Sequence, residues 1–321
     1  MNRILQLGSI IGVLILTLTL TSGQPDRPKE KETSNTAHTI ITKTNHNVST
    51  PYPTKSSIKA GQKVQAITSP DQTIKAADIE LLLKNYPTRG SLLQRTVGHA
   101  EGTRNVDGKI GWAYWGHQDP MCVYITCRSK ITNLGSFSFQ QASDKPIVRT
   151  PLQADLIQQQ VLRLQALELV YQAQRVGLQL NVFQLLAGVD LANQSPTAAC
   201  VMQPNKSLLN KLAAGISVDL NTKKALAQAT TQNRCRWGYI DRLKQSIKQK
   251  ELEGFDAVVE ARAWSFFDVN PYSRRYNKWN ASGLGHSPTI IEHDQRRRTK
   301  AVADGLRYQL ENPKEFTDIK K

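Results

Sequence analysis

SLLQRTVGHAEGTRN, residues Ser91 to Asn105, is the stretch on which the fold reading turns. Ser91 is an N-cap residue ahead of an apolar run, and Leu93, Val97 and Glu101 recur at every fourth position, so they share one helix face. Leu93 and Val97 mark that face as buried, which turns Glu101 inward or into a cleft. Gly102 then stops the helix, as a glycine just past the last turn commonly does, and the bland alternative is that it is simply a C-cap behind a solvated last-turn Glu101. A carboxyl group at such a terminus meets partial desolvation and the negative end of the helix dipole, and both favour its protonated form.

Downstream, from Gly102 to Phe139, no helical period runs. Gly and Asn are frequent there, with Trp112, Tyr114 and Trp115 close together, which predicts loops and short strands lined on one side by aromatics. Those rings could stack on sugars or form the small core of the lobe itself. At Thr150 and Pro151, a cap and a first-turn proline, the helical pattern returns. Ile157, Val161, Leu164 and Tyr171 then predict a long helix that supplies much of the core. Further helices are predicted over Val182 to Ala192, Ser207 to Ala214, Thr222 to Thr230, Trp237 to Lys250 and Ala257 to Phe267. A last one runs from about Ile290 to Leu310, with Ile291, Val302, Leu306 and Leu310 inward and QRRRTK outward. Arg296 to Arg298 thus read as a solvated face. Upstream, AADIELLLKNY predicts a first helix carrying Ile79, Leu82 and Leu83 on one side. The fold class is therefore mainly α: a helical domain over residues 76–316, with a small loop/β lobe after the helix that ends in Glu101.

The start of the chain reads differently. MNRILQLGSIIGVLILTLTLTSGQP sets Arg3 before a short apolar run and then small residues, the build of a signal peptide over residues 1–23. An uncleaved anchor, and so an amino-terminal membrane association, is the alternative. Residues 24–75 are rich in Ser, Thr, Lys, Asn and Pro and read as a disordered linker. The 321 residues carry 42 Lys and Arg against 26 Asp and Glu, a net charge of +16. In an exported chain that excess suits an anionic partner such as a cell-wall polymer or membrane surface, with nucleic acid the least fitting; the bland reading is a solvated surface. Four cysteines in an exported protein permit two disulfides, and Cys122 with Cys127 and Cys200 with Cys235 are the favoured pairs. Their spacing does not suit a zinc knuckle, and no metal or cofactor is expected. His99 and His117 read as structural or surface residues.

Two motifs bracket the aromatic stretch: Ala100, Glu101, Gly102 and Thr103 before it, Gly135, Phe139 and Gln140 after it, with Tyr114 and Gly116 between. This pattern resembles the lysozyme-like superfamily, particularly lytic transglycosylases and lambda-type endolysins, with Phe139 where those enzymes often have Tyr. It also looks like a group of uncharacterised bacterial exported proteins sharing AEGTR, a GH-D-P element and a late DQ-RR element, here Asp294 to Arg297. The resemblance implies a lysozyme-like fold and cleavage of the bond between N-acetylmuramic acid and N-acetylglucosamine in peptidoglycan or a related anionic wall glycan. It makes Glu101 the catalytic acid and then base, closing a 1,6-anhydro product on the sugar's own C6 hydroxyl. Thr103, Tyr114, Trp115, Phe139, Gln140 and Tyr276 become candidate substrate-binding residues; Thr103 could instead bond Glu101 or only end the turn. Hydrolysis would need a second carboxylate, and Asp107, Asp119 and Asp268 are candidates that no spacing rule separates. A noncatalytic glycan-binding protein and a structural envelope protein are the competing expectations.

Overall fold

The computed structural model describes residues 66–86, 89–118, 131–142, 146–216, 237–269 and 288–316. The signal peptide, most of the linker, the Thr222 to Thr230 helix and Tyr276 lie outside these residues. Within them no helix is long and apolar enough to cross a membrane.

The described residues hold nine α-helices and a three-stranded antiparallel sheet. In chain order the helices are α1 (Ile79–Leu83), α2 (Leu92–Glu101), α3 (Pro151–Arg175), α4 (Val182–Gln194), α5 (Pro196–Ala199), α6 (Lys206–Ala213), α7 (Tyr239–Gln249), α8 (Gly254–Val269) and α9 (Pro288–Glu311). The strands β1 (His117–Gln118), β2 (Ile131–Leu134) and β3 (Phe139–Ala142) form the lobe between α2 and α3, together with a 3-10 turn over Trp112–Trp115.

Local chemistry explains where the main helices begin. The Gln94 amide donates to Ser91 Oγ at 3.1 Å while Ser91 N–H donates back to Gln94 Oε1 at 2.8 Å, a capping box that starts α2. Asn181 and Gln184 repeat that exchange at α4, at 2.8 and 3.1 Å. Thr150 caps α3 ahead of Pro151, as expected.

Helix α4 is buried on every side from Val182 to Ala192, so it is the central rod. Leu92, Leu93 and Val97 of α2, Leu162 and Leu169 of α3, Val258 of α8 and Val302 and Leu306 of α9 join it in one core. Helix α3 serves three buried clusters at once, the third formed by Val161 and Leu164 with Met202. Its Leu162, Ala166 and Leu169 face the main one, while Ala154 and Ile157 face a smaller cluster with Leu134, Phe139 and Val148 of the lobe. Because its buried stripe is split in this way, the single face drawn through Tyr171 runs out: Tyr171 is 38% exposed, a correction to its expected place in the core.

The chain also packs earlier than the linker boundary at residue 75. Ile74 is buried, its N–H donates to the Leu180 carbonyl at 2.9 Å, and Val182 N–H reaches the Gln72 carbonyl at 2.9 Å. Residues 66–75 thus dock on the approach to α4. Cys200, the one cysteine among the described residues, is not a free thiol; Cys122, Cys127 and Cys235 lie outside them, and with them both expected pairings.

Candidate functional site

Glu101 closes α2, and Gly102 follows with φ 76° and ψ 13°. A Cβ at Gly102 would meet nothing within 4 Å, so the glycine is required by the left-handed backbone and not by crowding. Leu93 and Val97 are buried on the same face, and the Glu101 side chain is 16% exposed. Its Oε1 accepts from Asn193 Nδ2 at 2.9 Å and from Arg298 Nη2 at 2.6 Å. Its Oε2 takes no hydrogen bond among the described residues and is not sealed from water. One oxygen is pinned from inside the protein and the other is left to whatever occupies the space outside.

The pin has depth. Arg298 grips Asp190 with Nε at 3.0 Å and Nη2 at 2.6 Å, and Arg262 Nη2 takes the same carboxylate at 2.6 Å. Asp190 and Arg262 are fully buried and Arg298 is 3% exposed. Arg262 also donates to the Ala187 carbonyl and, at 2.9 Å, to Gln295 Oε1, and Gln295 passes the chain on to Gln194 at 2.9 Å. Burial alone would push the Asp190 carboxyl up; the charges of Arg298 and Arg262 outweigh it and hold that carboxyl below the usual range. Burial likewise works against the Arg298 charge, and Asp190 and then Glu101 hold the guanidinium well above its ordinary value. Two carboxylates and two guanidiniums balance, which is the condition for burying such a set at all. Arg298 therefore does not belong to a solvated face as expected; Arg296 and Arg297 do, at 47% and 52% exposure.

A second buried cluster ties the lobe to α2. Asp155 of α3 accepts from Ser136 N at 2.5 Å, Ser136 Oγ at 2.7 Å and Gln94 Nε2 at 3.0 Å. Arg104 donates to Ser136 Oγ at 2.7 Å and to the Gly108 carbonyl at 2.7 Å. Burial pushes the Asp155 carboxyl up against the pull of Ser136 and Arg104, and it pushes the Tyr114 phenol up to about 12, with the Asp155 charge adding to that. Gly135 turns the chain at φ 76° between β2 and β3, where a Cβ would lie 2.5 Å from Asp155 Oδ1. The glycine of the second motif is thus needed because the turn is pressed onto α3.

These contacts sort the candidate residues. Thr103 is fully buried and its hydroxyl is spent on the Gly98 and Ser136 carbonyls, at 3.0 and 2.5 Å, so it holds the turn and does not bond Glu101. Tyr114 and Phe139 are buried within the lobe, Phe139 in its small apolar cluster and Tyr114 under the Arg104 guanidinium. Gln140 is exposed on β3, paired in register with Asn133. Trp115 is 69% exposed and Trp112 80%. Their spacing of three on a 3-10 turn sets both indoles on one side. Asp107 is committed to Arg89 and Lys109, at 3.0 and 2.9 Å, and Asp268 to Arg242 at 2.6 Å. Asp119 lies outside the described residues. Neither histidine is surrounded by other ligands: His99 Nδ1 pairs with the Arg104 carbonyl and His117 Nδ1 with the Ala113 carbonyl, and no group of three potential metal ligands gathers among the described residues.

Sequence reasoning missed Asp190, Asn193, Arg262 and Arg298. Two signals were present. Arg298 stands four residues before Val302 and seven after Ile291, on the inward face of α9. Asp190 is the lone charge in a helix that is otherwise apolar or amide-bearing, and such a charge is rarely buried without partners. Comparison with family models, with curated proteins and with solved structures returns no match to this chain.

Proposed function

We propose that the protein is an exported peptidoglycan-cleaving enzyme of lysozyme-like type, a lytic transglycosylase with Glu101 as its one catalytic carboxylate. The observation that carries this reading is the division of labour between the two Glu101 oxygens: Oε1 held by Asn193 and Arg298, Oε2 unbonded and open to water. A carboxyl oriented in that way can present a single oxygen to a leaving group. In its protonated form, with the proton on Oε2 and Oε1 still accepting from Arg298, Glu101 gives that proton to the glycosidic oxygen as the C1–O bond breaks, and the muramic acid ring carries the positive charge at C1. The ring's own C6 hydroxyl then attacks C1 and returns its proton to Glu101, so the enzyme regains its starting state and no water is consumed.

Among the described residues the single-carboxylate route is favoured over hydrolysis, because Asp107 and Asp268 are engaged elsewhere and Asp190 is sealed behind Arg298; Asp119 lies outside them. Under this reading the fragments released from purified cell wall end in 1,6-anhydromuramic acid, a loss of one water against reducing ends that mass spectrometry resolves. Reducing ends alone would replace the transglycosylase by a hydrolase.

The exposed indoles of Trp112 and Trp115, on a turn whose preceding Gly111 N–H donates to the Thr103 carbonyl, offer flat apolar faces that suit the C–H face of a pyranose. Replacing both by alanine should leave stability within about 0.5 kcal/mol, as for exposed positions generally, while retention on pelleted cell wall falls. Unchanged retention removes the indoles from the glycan site.

A noncatalytic glycan-binding protein is the second reading, and one observation favours it. A carboxylate neutralised by Arg298 is also what a purely structural ion pair looks like. Wall binding without release of any fragment would decide for it.

A further inference from the structure

We infer that Asn193 is a positioning residue for Glu101, the amide that sets which carboxyl oxygen faces the bond to be cleaved and links that choice to the lobe. This inference rests on the glycan-cleaving reading. Asn193 lies at the end of α4, and its side-chain amide makes three bonds to three different elements. Nδ2 donates to Glu101 Oε1 at 2.9 Å and to the Phe137 carbonyl of the β2–β3 turn at 3.0 Å. Oδ1 accepts from Gln158 Nε2 of α3 at 2.9 Å.

The acceptors fix which way round the amide sits. An amide can be turned over at little cost unless something distinguishes its oxygen from its nitrogen. The Phe137 carbonyl makes that distinction because it can only accept, so Nδ2 faces it and Glu101, and Oδ1 is left to accept from Gln158. Both Nδ2 hydrogens are then used, and Glu101 Oε1 is held from two sides, by Asn193 on α4 and Arg298 on α9. Two fixed donors on one oxygen restrict rotation of the carboxyl group about its last bond, so Oε2 stays outward. Arg298 alone could not do so, because its Nη2 is shared with Asp190 at 2.6 Å and a single donor leaves the carboxyl free to swing about that contact.

The bond to Phe137 adds a coupling. The β2–β3 turn carries the second sequence motif and is pressed onto α3 through Asp155. A shift of this turn is transmitted through one amide to the Glu101 carboxyl. The charged groups around Glu101 are Arg298 from α9 and, behind it, Asp190 from α4; Gln158 of α3 is neutral, and His99 on α2 is occupied with the Arg104 carbonyl.

The test uses the full chain and purified peptidoglycan. Asn193→Ala removes both donors without adding charge, and turnover should drop about 10- to 100-fold, the scale of a misplaced catalytic group, with KM nearly unchanged and the melting temperature lowered only by the few degrees that lost hydrogen bonds cost. Asn193→Asp keeps the shape but sets a second carboxyl against Glu101, so the pH for maximal release should move upward as the two share a proton. Gln158→Ala should lie between wild type and Asn193→Ala. A wild type that releases no fragment overturns the glycan-cleaving reading and this role with it. A wild type that releases fragments while Asn193→Ala turns over within twofold of it overturns the role of Asn193 alone. Loss of activity in step with loss of melting temperature makes Asn193 a purely structural residue and also overturns the proposal.

Discussion

Asp190→Ala is expected to destabilise the protein by about 3–5 kcal/mol, the scale measured when one partner of a buried ion pair is removed. Asp190 is fully buried and receives Arg298 and Arg262 together, so its loss strands two guanidiniums where water cannot reach. Arg262 would keep only the Ala187 carbonyl and Gln295, and Arg298 only Glu101. Domains of this kind are stable by about 5–15 kcal/mol, so the change is a large part of the whole. Urea unfolding measures it as a lowered midpoint with an unchanged slope.

The effect depends on pH in a fixed direction. Burial opposes ionisation of Asp190, but Arg298 and Arg262 outweigh it, so the folded carboxyl titrates below the unfolded one. A depressed carboxyl stabilises the fold fully above its unfolded value, near pH ~4, and loses that contribution as the pH falls through the folded one. The gap between wild type and variant should therefore be widest at neutral pH and close in strong acid. A gap that stays constant down to strong acid, or one under about 1 kcal/mol at neutral pH, would show that the pair does not carry the weight its burial implies.

The same residues mark how far the sequence could be read. The end of α2 was legible because its information is local: Ser91, Gln94, Leu93, Val97 and Gly102 all act within three turns of one helix. The extent of several later helices followed from the same short periods, with α4, α8 and α9 found close to their observed bounds, whereas the short α5 was not foreseen. The partners of Glu101 were not legible in that way. Arg298 lies 197 residues away in the chain and Asn193 92, and no local pattern connects an acid to a donor at that distance. Composition misled at Arg298, where three arginines in a row suggested one solvated stripe. A helix turns about 100° per residue, so one of three neighbours can face the core while two face water. Thr103 and Phe139 are the complementary case. Both belong to the motifs that carry the resemblance, yet both are buried, so their part in the pattern is to hold the lobe against α2 and α3.

Glu101→Gln separates an acid from an ion-pair partner, because it preserves the shape of the group and removes only its ability to hold and give a proton. The amide oxygen can still accept from Asn193 and Arg298, and Arg298 keeps its two bonds to Asp190. Arg298 keeps Asp190 as a counter-charge, but one carboxylate is left for two guanidiniums, so the stability lost should be about 1.5–3 kcal/mol, the range of hydrogen bonds to charged groups. That is below the loss expected at Asp190. Release of soluble fragments from cell wall should fall about 10²- to 10⁴-fold, the contribution of a positioned acid or base, while retention on the wall stays near wild type because Trp112 and Trp115 are untouched. The two variants together therefore make a crossed pattern. Asp190→Ala costs stability first and activity through it, whereas Glu101→Gln costs activity with the fold intact. Turnover that survives in Glu101→Gln would mean that the chemistry, if any, belongs to another group, and Glu101 would then be the outer member of a charge cluster whose purpose is to join α2, α4, α8 and α9.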